Sequence, residues 1–100
     1  MQIIEERKEH SITLTLSGRL DVNASSQLEN EISNYINSAV IDRLILDMAG
    51  VEYISSAGIR VLLSAQKKLG KSNELVIRNP SKFCKDVFNV TGADIFLKIV

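Results

Sequence analysis

Polar and apolar residues alternate strictly from Ser11 to Ser17, a pattern typical of a strand that buries one face. Gly18 to Asp21 is expected to end that strand, and Lys8 to His10 predicts a polar turn before it. Short apolar runs bounded by polar residues predict further strands at Gln2–Arg7, Leu44–Met48, Glu74–Arg78 and Leu97–Val100.

A different spacing, close to four residues, predicts a first helix with one apolar stripe: Ala24, Leu28, Ile32, Tyr35 and Ile36. We expect Asn23 to cap this helix at its start, with Ser25 and Ser26 as competing caps. A polar set of residues covers the opposite side of the helix.

Two more helices are predicted further along the chain. The second extends from about Ala57 to Leu69, after a turn at Gly50, and Gly70 is placed to end it. The third begins after Asn79-Pro80-Ser81, ends at Thr91-Gly92, and carries one apolar face formed by Phe83, Val87 and Phe88. A short helical turn is expected at Ala93–Phe96.

Strands that alternate with helices predict an α/β fold with parallel pairing and right-handed crossovers. We expect a single domain over residues 1–100, with a mixed sheet of four or five strands in which the first hairpin is antiparallel. Three to four helices are expected to pack mainly on one face of this sheet.

The composition excludes several classes of protein. Twelve basic and twelve acidic residues cancel, which removes the electrostatic case for binding nucleic acid or an anionic membrane surface. Cys84 is the one cysteine, which excludes a disulfide framework and indicates a reducing compartment. Neither a signal peptide nor a run long enough to cross a membrane is present, so we expect a cytoplasmic domain.

The candidate chemistry lies in Ser55-Ser56-Ala57-Gly58, where a strand leads into the second helix. Two serines at a helix start predict either an ordinary cap or a place that would accept a phosphoryl group. The sequence argues against a hydrolase, because the glycine before the serine in the G-x-S-x-G motif is missing and His10, the one histidine, lies in a predicted hairpin turn. No metal-ligand spacing or phosphate-binding loop is present, and Cys84 is expected to be a small buried residue, so we predict no catalytic residue, cofactor or metal.

The ordered set of motifs resembles the STAS domain of the bacterial anti-sigma factor antagonist family over nearly the whole chain. It comprises Gly18-Arg19-Leu20-Asp21, the strand Leu44–Met48 with the Val51–Gly58 segment, and Phe88-Asn89-Val90-Thr91-Gly92. In the family, a serine within Asp-Ser-[Ser/Thr]-Gly accepts a phosphoryl group. Ser56 matches that serine, with Ser55 as the alternative acceptor at the position where the family often has aspartate.

The resemblance implies a protein that binds an anti-sigma factor with serine kinase activity while unphosphorylated, and so releases a sigma factor. The kinase would phosphorylate Ser56 with its own ATP and magnesium, and a PP2C-type phosphatase would remove the phosphoryl group. The implied partner surface comprises Asp21, Ser55, Ser56, Ala57, Gly58, Arg60 and Ser64. Neither nucleic acid nor membrane insertion is expected.

A second hypothesis stays open because STAS domains also serve as permanent subunits of transporter-associated or signalling scaffold complexes. Ser55 and Ser56 would then only cap the helix, and the outer face of the second helix would be a permanent contact. Ser55, which replaces the family's aspartate, is the feature that favours this hypothesis.

Overall fold

A computed structural model describes residues 1–36, 41–69 and 73–100 of the chain. The strands are β1 (Gln2–Lys8), β2 (Ser11–Leu20), β3 (Arg43–Ile54), β4 (Glu74–Arg78) and β5 (Lys98–Ile99). The helices are α1 (Val22–Ile36), α2 (Ser56–Leu69) and α3 (Lys82–Thr91), and a 3₁₀ turn covers Ala93–Ile95. The predicted helix end at Gly70 lies outside the described residues.

The five strands form one mixed sheet in the order β1-β2-β3-β4-β5. The β1–β2 hairpin is antiparallel, and each of the remaining neighbours is parallel. One buried cluster joins the inward residues of the central strands to all three helices, so the helices pack on one face of the sheet. The predicted mixed sheet and its antiparallel first hairpin are confirmed.

The helix-packed face of the sheet buries the alternating apolar residues that the sequence pattern indicates. Ile12, Leu14 and Leu16 are each at most 1% exposed, and Leu44 and Leu46 of the neighbouring strand are fully buried. Removal of such side chains from water is the main favourable contribution to folding, at about 25 cal/mol for each Å² of apolar surface. The core therefore fixes which face of each strand the helices cover.

Strand β3 is much longer than predicted, and the expected turn at Gly50 is wrong. Two register shifts in the pairing with β2, one of which places Gly50 opposite Ser17, take up two extra residues of β3, so the strand continues to Ile54. A Cβ atom on Gly50 would lie 3.1 Å from the Leu16 carbonyl oxygen, so glycine allows the two backbones to approach closely. Strand β2 likewise continues to Leu20 instead of ending at Gly18.

The start of α1 and the apolar face of α3 also differ from the predictions. Helix α1 begins at Val22, directly after β2, so Asn23 lies inside the helix and does not cap it. On α3 the buried residues are Cys84 and Phe88, whereas Phe83 is 45% exposed. Burial raises the pKa of the Cys84 thiol, which agrees with its prediction as a small buried residue.

Helix α3 has the predicted boundaries because both ends carry cap residues. The Ser81 hydroxyl accepts a hydrogen bond from the Cys84 backbone amide at 3.3 Å, and it donates one to the Val51 carbonyl oxygen at 2.7 Å. Gly92 adopts a left-handed conformation with φ of 78°, the usual helix end for glycine. The predicted helical turn that follows is confirmed at Ala93–Ile95.

Candidate functional site at the carboxyl ends of two parallel strands

The two neighbouring strands β2 and β3 end side by side, and a helix begins directly after each of them. Leu20 pairs with Ile54 at the last position of the parallel ladder. The Ser55 backbone amide donates to the Leu20 carbonyl oxygen at 2.9 Å, which holds the two helix starts together. Asp21 and Ser55, predicted from separate parts of the sequence, therefore occupy the same edge of the sheet.

Asp21 caps α1. Its carboxylate oxygen Oδ1 accepts a hydrogen bond from the Ala24 amide at 2.9 Å, the interaction that an aspartate N-cap makes. Ser25, 2% exposed, donates from its hydroxyl to the Asp21 carbonyl oxygen at 2.6 Å. The second interaction explains why Ser25 is buried within the helix and does not cap it.

Ser55 caps α2 in the same way. Its hydroxyl accepts from the Gly58 amide at 3.1 Å and donates to the Leu20 carbonyl oxygen at 3.0 Å. Its carbonyl oxygen accepts from the Ile59 amide at 3.0 Å, the first hydrogen bond of the helix. The Ser55 side chain is therefore held in place by the helix start and by the end of the neighbouring strand.

Ser56 is the first residue of α2, and it is exposed. Within the described ranges its hydroxyl makes no hydrogen bond, in contrast to that of Ser55. It lies beside the first-turn amides of α2, which have no intrahelical partners and form the positive end of the helix dipole. The two serines of the motif thus have different environments, one structural and one accessible.

Gly58 is buried beneath this surface, where it supports the helix start. A Cβ atom at this position would lie 2.9 Å from Cγ1 of Ile54 and 2.9 Å from Cγ of Leu20. Real Cβ atoms almost never approach so closely, so α2 can lie against the ends of β2 and β3 because residue 58 has no side chain. Gly58 is therefore a close-packing residue in the first turn of α2.

A groove of about 390 Å³ extends from the helix starts between α1 and α2. Its walls include three predicted partner-surface residues of α2, Ala57, Arg60 and Ser64. Sequence reasoning missed the opposite wall, which α1 provides with Val22, Ser25, Ser26 and Glu29. Val22 is 66% exposed. An apolar residue directly after the Asp21 cap was the signal in the sequence that could have indicated this wall.

Beside β3, an exposed stack of side chains lies near the same edge of the sheet. The Arg19 guanidinium carbon lies 4.3 Å from the centre of the Tyr53 ring, and the Phe83 ring is 5.7 Å from Tyr53 between centroids. Both distances are in the range of favourable cation–π and aromatic contacts. The stack explains why Phe83 lies outside the hydrophobic core, although it belongs to the predicted apolar face of α3. The spacing of apolar residues in α3 gave no signal for this stack.

A larger cavity, about 680 Å³, lies at the opposite edge of the sheet, around the hairpin turn that carries His10. Two of the charged residues that line it already pair with each other, since Arg43 Nε lies 2.8 Å from a Glu74 carboxylate oxygen, and Lys98 Nζ lies 2.6 Å from the other oxygen. Among the described residues, no group of histidine, cysteine or acidic side chains is arranged to hold a metal ion. We therefore place the candidate site at the helix starts.

Comparison with known proteins agrees with this fold and site. Residues 3–99 match the family model described as Mlab, STAS domain, so the chain belongs to the STAS domain family. Over 93 residues it is 29% identical to BtrV of Bordetella bronchiseptica, whose name places it among the anti-sigma factor antagonists; the match covers 92% of this chain and 79% of BtrV. It is also 25% identical over 83 residues to the anti-sigma F factor antagonist of Lysinibacillus sphaericus, covering 82% of this chain and 71% of that protein.

Solved structures show the same fold at lower sequence identity. An anti-sigma factor antagonist from Mycobacterium paratuberculosis is 21% identical with a TM-score of 0.89, covering 98% of this chain and 83% of that one. SpoIIAA, an anti-sigma factor antagonist solved in unphosphorylated and phosphorylated forms, is 21% identical with TM-scores of 0.84 and 0.77. These matches cover 99% of this chain and 88% and 91% of the two SpoIIAA chains. In the described part of this chain, the helices are too short or too polar to span a membrane.

The different environments of the two serines lead to a first prediction. Ser55→Ala is expected to lower the free energy of unfolding by about 1 kcal/mol, because it removes the cap of α2. Ser56→Ala is the matched control, and it should stay within about 0.5 kcal/mol of the parent because the lost hydroxyl is exposed. Urea denaturation followed by circular dichroism measures both. Equal losses for the two variants would contradict the assignment of Ser55 as the cap.

Proposed function

We propose that this protein is an anti-sigma factor antagonist whose partner binding is controlled by phosphorylation of Ser56. Unphosphorylated, it would bind an anti-sigma factor that is also a serine kinase, and a sigma factor would be released. The observation that carries the proposal is the exposed hydroxyl of Ser56 beside the fully engaged hydroxyl of Ser55. This difference favours Ser56 over Ser55 as the acceptor.

The Ser55 position, where the family often has aspartate, fits this proposal. Aspartate and serine are both good N-cap residues because each offers a side-chain oxygen to a first-turn amide. Ser55 supplies that oxygen to the Gly58 amide. A serine in place of the aspartate therefore keeps the helix start that presents Ser56.

The proposed chemistry belongs to the partners. The Ser56 hydroxyl oxygen would form a bond to the γ-phosphorus of ATP, the bond from that phosphorus to ADP would break, and a base of the kinase would take the hydroxyl proton. A PP2C-type phosphatase would hydrolyse the product to restore serine. The chain itself would supply no catalytic group and no cofactor, and the reaction would take place in the cytoplasm, where ATP is available.

Phosphorylation would act on the partner surface by charge. A phosphoserine carries about −1.5 to −2 charges near neutral pH, and the modified position directly precedes Ala57, which lines the α1–α2 groove. Asp21 and Glu29 already place carboxylates around that surface. Added negative charge in a close-packed interface would be desolvated and would repel nearby acids of the partner, so the complex would dissociate.

The proposal predicts that the cognate kinase adds one phosphoryl group to this protein at Ser56. Intact-protein mass spectrometry after incubation with the kinase, ATP and magnesium measures the modification. Ser55→Ala should still be modified because Ser56 remains, and Ser56→Ala should not. Modification that persists in Ser56→Ala and disappears in Ser55→Ala would move the acceptor to Ser55.

A second candidate is a permanently bound STAS subunit of a transporter-associated or signalling complex. It is favoured by Ser55, which stands where the anti-sigma factor antagonists often have aspartate. Ser55 and Ser56 would then remain unmodified at the helix start. Absence of any kinase-dependent mass change, together with stable co-purification in a multisubunit complex, would support this candidate.

A further inference from the structure

Arg60 lies one helical turn after Ser56 on the exposed side of α2. Residues four apart on a helix are neighbours on its surface, about 5 to 6 Å apart at their Cβ atoms. Both side chains are exposed. The ion pairs formed by the described residues do not include Arg60, so its guanidinium keeps its donors available.

The charges around Arg60 favour an anionic ligand at position 56. Helix α2 contains no acidic residue, and its cations are Arg60, Lys67 and Lys68. The first turn, where an acid would compensate the helix dipole, therefore carries no negative charge. Glu29 lines the same groove as Arg60, but the two form no ion pair within 4.0 Å.

We propose that Arg60 binds the phosphoryl group of phosphorylated Ser56 within the same helix. The proposal rests on the proposed phosphorylation of Ser56 and adds the residue that holds the modified side chain. Arginine suits this role because its planar guanidinium donates two parallel hydrogen bonds to phosphate oxygens. A phosphoryl group also carries more charge than the Glu29 carboxylate that faces the groove, so Arg60 turns toward position 56.

This contact gives phosphorylation a second effect on the partner surface. In the unphosphorylated protein Arg60 is the cation in the wall of the α1–α2 groove, where it is available to an acidic group of the partner. After phosphorylation the same guanidinium is held by the phosphoryl group. The modification therefore adds negative charge and also occupies Arg60, the one positively charged residue among those that line the groove.

The contact is tested on the full chain with phosphoserine incorporated at position 56 during synthesis, so no kinase is needed. Phosphorus NMR measures the second pKa of the phosphoserine, which is about 6 when unperturbed. Arg60→Gln should raise this pKa by at least about 0.3 pH unit relative to the parent, the shift that corresponds to a typical i,i+4 ion pair. Arg60→Lys should retain part of the effect, because it keeps the charge and loses the planar fork.

Lys67→Gln is the matched control, since it removes one exposed cation from the same helix nearly two turns further on. It should leave the phosphoserine pKa within about 0.1 pH unit, because the interaction falls off beyond neighbouring turns. A phosphoserine pKa that is the same in the parent and in Arg60→Gln would overturn the contact. That result would leave phosphorylation itself intact, whereas absence of kinase-dependent modification would reject the proposed function alone.

Discussion

Ser56→Asp is expected to weaken binding to the anti-sigma partner by at least about 30-fold, which corresponds to about 2 kcal/mol. The aspartate places a permanent negative charge directly before Ala57 of the groove wall, on a surface that already carries the Asp21 and Glu29 carboxylates. Like charges brought together in an interface cost several kcal/mol, and one aspartate carries less charge than phosphoserine. Isothermal titration calorimetry with the purified partner measures the change.

Two further variants separate charge from folding. Asn30→Asp adds the same charge on the exposed side of α1, at a residue that does not line the groove and lies about two turns from the helix start, and should change affinity by less than about threefold. The unfolding free energy of Ser56→Asp should remain within about 1 kcal/mol of the parent, because an acid is favourable in the first turn of a helix. Unchanged partner affinity in Ser56→Asp would count against phosphorylation as the control.

The architecture was predictable from sequence because short-range patterns determine most of it. Period-two alternation in β2 and four-residue spacing in α1 each indicate one buried face, and one face per element leaves few ways to form a core. Local cap chemistry also determined both ends of α3, which begins and ends where Asn79-Pro80-Ser81 and Thr91-Gly92 predict. These features depend on residues only a few positions apart.

The errors concern features that depend on distant residues. Gly50 has the composition of a turn, yet its pairing with Ser17 of the neighbouring strand keeps it in β3. Phe83 fits the apolar stripe of α3, but Tyr53 lies outside the core and provides a ring to stack on. Tertiary contacts of this kind override local preference, and no spacing within one segment reports them.

The candidate site was predictable in part for the same reason. The serine pair and its neighbours lie in one continuous segment, so local chemistry could identify them. The distinction between Ser55 and Ser56 required the Leu20 carbonyl oxygen, which is 35 positions away from Ser55. The α1 wall of the groove likewise required knowledge of how α1 and α2 pack. Neither the Ser55–Leu20 hydrogen bond nor the packing of the two helices leaves a periodic signal in the sequence.

Gly58→Val should give the largest loss of stability, about 3 kcal/mol, and Gly58→Ala about 1 kcal/mol. Even the first added carbon would lie 2.9 Å from Cγ1 of Ile54 and 2.9 Å from Cγ of Leu20, so the helix start must move or the core side chains must leave their rotamers. For alanine, the overpacking cost of about 1 to 3 kcal/mol is partly offset by a gain of about 1 kcal/mol in helix propensity. Valine adds two more carbons than alanine, and because it is β-branched it gains less helix propensity over glycine than alanine does.

A double-mutant cycle with Leu20→Ala identifies the cause of the loss. Leu20→Ala removes Cγ and Cδ2, the two Leu20 atoms that lie within 3.0 Å of the position of the new carbon. Gly58→Ala should therefore cost about 1 kcal/mol less in the Leu20→Ala background than in the parent. Urea unfolding of the four proteins measures the coupling. Additive free energies would show that the glycine is required for a reason other than its packing against Leu20. The expected coupling would show that the start of α2, which carries Ser56, lies in close contact with the end of β2.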